Sequence, residues 1–142
     1  MGQWRFIEDV ALADCAMEVD GRDLPDLFET AAAALAGIMV DPTTLALSVD
    51  RAIALDGDAL DLLLFDWLSE LIFLKDRDRE VFPRCRVEIA GDGPFRLRAR
   101  ACGGPIDVER CALRGDAKAV TFHRLHVERR AGACRARFVI DI

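Results

Sequence analysis

Leu24, Leu27, Phe28, Ala31, Leu35 and Ile38 fall at steps of three and four, the spacing of one helix face. Asp23 stands where its side chain can cap that helix, and Pro25 is tolerated in the first turn. Asp41-Pro42 stops the helix, because the residue before a proline avoids the helical region. A second run, Leu60, Leu63, Leu64, Trp67, Leu68, Leu71 and Ile72, predicts a helix from about Ala59 to Lys75, with Asp58 as cap and Asp61 three residues on. Elsewhere the pattern has period two or short β-rich runs. It predicts strands over Trp4 to Val10, Cys15 to Val19, Thr44 to Leu55, Glu80 to Ala90, Pro94 to Ala101, Ile106 to Leu113, Ala119 to Arg129 and Cys134 to Ile142. Gly91-Asp92-Gly93, Gly103-Gly104-Pro105, Gly115-Asp116 and Ala131-Gly132 separate the later strands, the first of them as a hairpin turn. Arg96, Arg98 and Arg100 alternate with Phe95, Leu97 and Ala99, so that strand has one wet face. Two helices beside many short strands predict a single α+β domain over residues 1–142: two layers, with the helices packed on a mixed, mostly antiparallel β-sheet.

Composition narrows the class. With 52% apolar and 31% charged residues in 142, the chain can bury a core without staples and is not a disordered segment. Apolar runs such as Leu62-Leu63-Leu64-Phe65 are far shorter than the roughly 20 residues that cross a bilayer. Met1 to Arg5 leads into a strand with no apolar signal region, so a cytoplasmic location is expected. The five cysteines are widely spaced, with no C-x-x-C pair, and read as free thiols in a reducing compartment rather than as a zinc site. Net charge is −6, yet residues 1–74 carry 3 Lys+Arg against 15 Asp+Glu, while residues 75–142 carry 16 against 10. A protein that only coats RNA phosphates should be basic overall; this polarity fits docking onto a partner protein better, with most of the arginines solvated.

The most specific letters are Lys118-Ala119-Val120-Thr121-Phe122-His123 after Gly115-Asp116, the early Ala13-Asp14, and the final Asp141-Ile142. Together they resemble the archease family, small proteins that assist the GTP-dependent RNA ligase of the RtcB type in tRNA splicing and RNA repair. The likeness extends through Phe28 to Pro42, Asp66 to Leu71 and Pro105-Ile106-Asp107, and so covers nearly the whole chain. The family's commoner opening is Glu-His-Thr-Ala-Asp, whereas Glu8 to Asp14 here is two residues longer and lacks the histidine.

The carboxylates bear on chemistry. Phe138, Ile140 and Ile142 share one face of the last strand, so Asp141 projects from the other, and Ile142 carries the terminal carboxylate. Asp14 likewise lies opposite Cys15, Met17 and Val19. If the second strand pairs near this end, three anionic groups meet, a cluster that requires a cation; all-oxygen donors suit Ca²⁺ or Mg²⁺. From the residues alone, two separated aspartates read as surface groups. The resemblance, whose metal site uses the matching positions, makes Asp14, Asp141 and Ile142 the metal ligands, with Ca²⁺ expected first. It also implies essential roles for Asp14, Lys118 and Asp141 in activating the ligase. His123 and His126, three apart on a strand, point to opposite faces and are not expected to share an ion. No G-x-S-x-G, P-loop or G-x-G-x-x-G occurs. The reading is therefore a non-catalytic accessory protein that reaches RNA only through the ligase and speeds its guanylylation and turnover. The alternatives are a small metal-dependent hydrolase or nuclease using the same carboxylates, and a small-ligand binding domain with an apolar cavity.

Overall fold

The computed structural model describes residues 2–7 and 14–142. Its elements are β1 (Gln3–Ile7), β2 (Asp14–Gly21), α1 (Leu24–Met39), a 3₁₀ turn (Pro42–Thr44), β3 (Val49–Gly57) and α2 (Leu60–Asp78), followed by β4 (Glu80–Ala90), β5 (Phe95–Pro105), β6 (Ala119–Arg130) and β7 (Ala133–Asp141). The α+β class read from the sequence holds. The strands divide, however, between two sheets, β1-β2-β7-β6 and β3-β5-β4, and every strand pairing among the described residues is antiparallel.

Both helices lie against both sheets, α1 chiefly on β4 and β2, α2 chiefly on β6, β3 and β4. This explains why α1 is buried well beyond the predicted stripe, through Ala32, Ala34 and Ala36 as well as Phe28 and Leu35. Asp23 caps α1 as expected, accepting from the Asp26 amide at 2.9 Å. The core is continuous across both sheets, with Phe28, Trp67, Met17, Phe138 and Leu97 all inaccessible, and each such side chain contributes about 1.5–3 kcal/mol by leaving water. Trp67 also donates its indole N–H to the Phe28 carbonyl at 2.9 Å, joining α2 to α1 through a polar contact inside the core.

Four local expectations are corrected. Ile106 to Leu113 is not a strand: the Cys111 amide donates to the Asp107 carbonyl at 2.7 Å, and the Asp107 carboxylate accepts from the Glu109 amide, which is turn chemistry. Only Leu113 retains a β-contact, an isolated bridge to Val40. Gly103-Gly104 is not a turn but the interior of β5. A Cβ at Gly103 would lie 1.9 Å from the Val81 carbonyl oxygen, and one at Gly104 1.7 Å from that of Ala46, so the pair is there for close backbone approach. The α2 cap is not Asp58: Ala59 occupies that position without a side-chain bond, and Asp61 accepts from the next amide instead. Finally, β3 starts at Val49 because Asp41 accepts from the Thr43 amide and winds Pro42–Thr44 into the 3₁₀ turn. The end of the predicted first strand, with the longer opening Glu8 to Ala13, lies outside the described residues.

Candidate functional site

Three adjacent strands bring the singled-out residues to one end of the four-stranded sheet. β2 pairs with β7 so that Asp14 stands directly opposite Asp141, and Asp141 in turn has Ala119 of β6 opposite it on the far side. The Lys118 amide donates to the Asp141 carbonyl at 2.8 Å, which fixes the start of β6 against the end of β7. Residues directly opposite in antiparallel strands point to the same face, with Cβ atoms about 4.5–5.5 Å apart, so the two carboxylates share a face. Like charges in that arrangement are destabilising unless a cation is supplied. Both aspartates are half-buried, and neither forms an ion pair with another described residue. Lys118 and Ile142 are exposed beside them. The donors are carboxylate oxygens, which fit a hard divalent cation. Among the described residues no three His, Cys, Asp or Glu side chains converge, so the two aspartates would need a further donor.

The loop that presents Lys118 is tethered on both sides. The Arg114 amide donates to the Met39 carbonyl at 2.8 Å, and the Arg114 guanidinium to the Gly37 carbonyl at 3.2 Å, which seats the loop on the C-terminal end of α1. Ala117 is buried. Lys75 of α2, only 2% exposed, reaches Asp116 at 2.5 Å and Asp76 at 2.6 Å. Burial alone would lower the Lys75 ammonium pKa, but its hydrogen bonds to Asp116 and Asp76 more than offset this and hold it above the ordinary lysine value. The hydrophobic pattern of α2 gave no sign of this residue's role, because a lysine ending an apolar face reads as a solvated boundary.

β6 departs from regular alternation immediately after the site. Its pairing with β7 breaks between Thr121 and His126, and Arg124 takes the left-handed conformation (φ 56°) within the break. The expectation that His123 and His126 point to opposite faces therefore has no regular strand to rest on; both are exposed, and the His123 amide donates to the Thr121 hydroxyl at 3.2 Å. Phe122, although 66% exposed, stacks on Phe65 of α2 with ring centroids 4.2 Å apart.

Further along the same sheet, Ala16 and Val139 floor an open cavity of about 680 Å³ whose walls include Glu18, Arg124, His126 and Arg137. Glu18 in this cavity and Asp20 beyond it are held by Arg5, Arg135 and Arg137, with Arg137 to Glu18 at 2.7 Å and Arg135 to Asp20 at 2.7 Å. Burial would raise the Glu18 carboxyl, yet its bonds to Arg137 and Arg5 bring it below the usual value; Asp20 is lowered first by its bond to Arg135. The cysteines are free, as expected. Burial pushes the Cys85 thiol up to about 12 and also raises Cys15 and Cys134, so these three are poor nucleophiles at neutral pH.

Residues 4–142 match the Archease protein family (MTH1598/TM1083). The chain belongs to the archease family. The protein archease of Methanosarcina mazei is 33% identical over 142 residues, covering 99% of this chain and 96% of that one. That of Pyrococcus furiosus is 33% identical over 144 residues, with both chains fully covered. Protein 1598 of Methanobacterium thermoautotrophicum, known from a solution structure, superposes with a TM-score of 0.79 at 30% identity over 98% of each chain. An archease from Thermotoga maritima, described as a possible chaperone, shares the fold at a TM-score of 0.64 and 18% identity, covering 97% of this chain. These archeases are named for the family or as a possible chaperone, not for a reaction. No helix among the described residues is long and apolar enough to cross a membrane.

Proposed function

We propose that this archease is a non-catalytic activator of a GTP-dependent RtcB-type RNA ligase, promoting ligase guanylylation and repeated turnover in tRNA splicing and RNA repair. The observation that carries the reading is the meeting of Asp14, Asp141 and the Lys118 backbone on three neighbouring strands, from positions scattered across the sequence. Asp14 and Asp141, with the Ile142 carboxylate, would hold a divalent cation, Ca²⁺ first and Mg²⁺ as the alternative. Such a cation would neutralise the facing carboxylates and fix the sheet end. Lys118, exposed on a tethered loop, offers a flexible ammonium to an acidic or phosphate-bearing group of the ligase.

The test is multiple-turnover RNA ligation by the cognate ligase with and without this protein, across Ca²⁺ and Mg²⁺ concentrations. Stimulation that Asp14→Asn, Lys118→Ala or Asp141→Asn removes is the expected result. Absence of stimulation under every metal condition overturns the reading. Substrate hydrolysis by the isolated protein, lost in Asp141→Asn, would replace it with a metal-dependent hydrolase.

A further inference from the structure

The three-stranded sheet buries Phe95, Leu97 and Ala101 of β5 and leaves the opposite face exposed from Arg96 to Arg100. Arg84 and Arg86 of β4 and Arg96, Arg98 and Arg100 of β5 all project from that open face, and all five are exposed. The pairing register makes Arg86 and Arg100 direct cross-strand neighbours, a like-charge pair that costs stability in the free protein. On β3 Arg100 and Arg98 face only the small Ala52 and Ala54, while Arg96 stands between Ala90 and Asp56.

The face is not internally neutralised. Arg98 lies 3.4 Å from Asp56 and Arg100 lies 4.0 Å from Asp50, both at the β3 edge, and Glu88 stands opposite Arg98. Arg84, Arg86 and Arg96 form no ion pair among the described residues. Successive arginines on one strand advance about 6.8 Å, the scale of one phosphate-to-phosphate step along a nucleic-acid strand. None of the exposed large hydrophobic side chains lies on this face. A protein partner would be expected to find an aromatic or aliphatic anchor at the centre of its docking surface. A sugar-phosphate backbone needs only cations with planar donor forks.

We infer that the arginine-bearing face of the β3-β5-β4 sheet is a direct, sequence-independent binding site for the phosphate backbone of an RNA strand. This goes beyond the reading above, in which RNA is reached through the ligase, and binding is measured with no ligase present.

Anisotropy titration of a labelled single-stranded RNA with the full-length protein, repeated from 50 to 200 mM salt, tests it. Contacts to about three phosphates give a log–log salt slope near −2, and so about a twenty-fold loss of affinity across that range. Serine at Arg84, Arg86 and Arg96 together is expected to flatten the slope by about two units, while lysine at the same three positions retains most of it. All three positions are exposed, and circular dichroism confirms that the variants fold. No measurable binding at 50 mM salt, or a triple serine variant with wild-type affinity and slope, overturns the proposal. Polyglutamate binding more tightly than RNA overturns it in favour of an acidic protein partner.

Discussion

Asp14, Asp141 and Lys118 share one sheet end, and the proposed function assigns them different jobs. Replacing either aspartate by asparagine removes one carboxylate of the proposed metal site and half of a repulsive pair. Ca²⁺ affinity by calorimetry is expected to fall about tenfold or more, with little change in thermal stability in metal-free buffer. Lys118→Ala is expected to leave Ca²⁺ affinity unchanged and to abolish ligase stimulation, because its contribution to the fold is the backbone bond to Asp141, which alanine retains. Equal loss of metal binding in Lys118→Ala would place the lysine inside the metal site. Thr121 and Phe122 belong to the same motif, but Phe122 stacks on Phe65 and the Thr121 hydroxyl accepts from the His123 amide.

Among the elements, α2 governs both the core and the site. Trp67→Phe preserves most of the buried ring but leaves the Phe28 carbonyl without the indole donor, and is expected to cost about 1–3 kcal/mol in urea unfolding with ligase stimulation intact. A change below about 0.5 kcal/mol would mean that the helix bonds of α1 already satisfy that carbonyl. One end of α2 also anchors the Lys118 loop. Lys75→Met keeps the side-chain volume and removes both ion pairs, which are partly exposed on the acidic side. Stability is expected to change by less than about 1.5 kcal/mol. Amide exchange at Ala117 and Lys118 should nevertheless accelerate; unchanged exchange would show that the Met39 and Asp141 contacts suffice to hold the loop.

Across the whole molecule, the acidic first half and basic second half are interleaved. β2 supplies Glu18 and Asp20, the paired β7 supplies Arg135 and Arg137, and β1 adds Arg5. Glu18 and Asp20 have folded-state pKa values below their ordinary ones, so their stabilisation is fully present above the unfolded carboxylate values near 4 and is lost as pH falls through the folded values. The melting temperature is therefore expected to hold from pH 7 to about 5 and to drop below about 4. Glu18→Gln should begin about 1–3 kcal/mol less stable at pH 7 and lose less on acidification, since one of the titrating partners is gone. Identical acid sensitivity in mutant and wild type would show that the loss originates elsewhere, for instance at Asp26.

Short-range spacing determined the two helices, the Asp23 cap, the Gly91-Asp92-Gly93 hairpin and the wet arginine face of β5, because each depends on residues within a few positions of one another. It also placed Asp14 and Asp141 on the polar faces of their strands. It could not say that those strands pair in the register that sets the two carboxylates opposite each other, which is a contact between residues 127 positions apart. Gly103-Gly104 misled for the same reason: a glycine pair is a turn signal locally, and only the close passage of Val81 and Ala46 makes it strand interior. The tethering of the Lys118 loop by buried Lys75, the interrupted pairing of β6 and the separation of the strands into two sheets were likewise decided by packing between distant segments. Period and turn chemistry specify elements; only the folded chain fixes which of their faces meet.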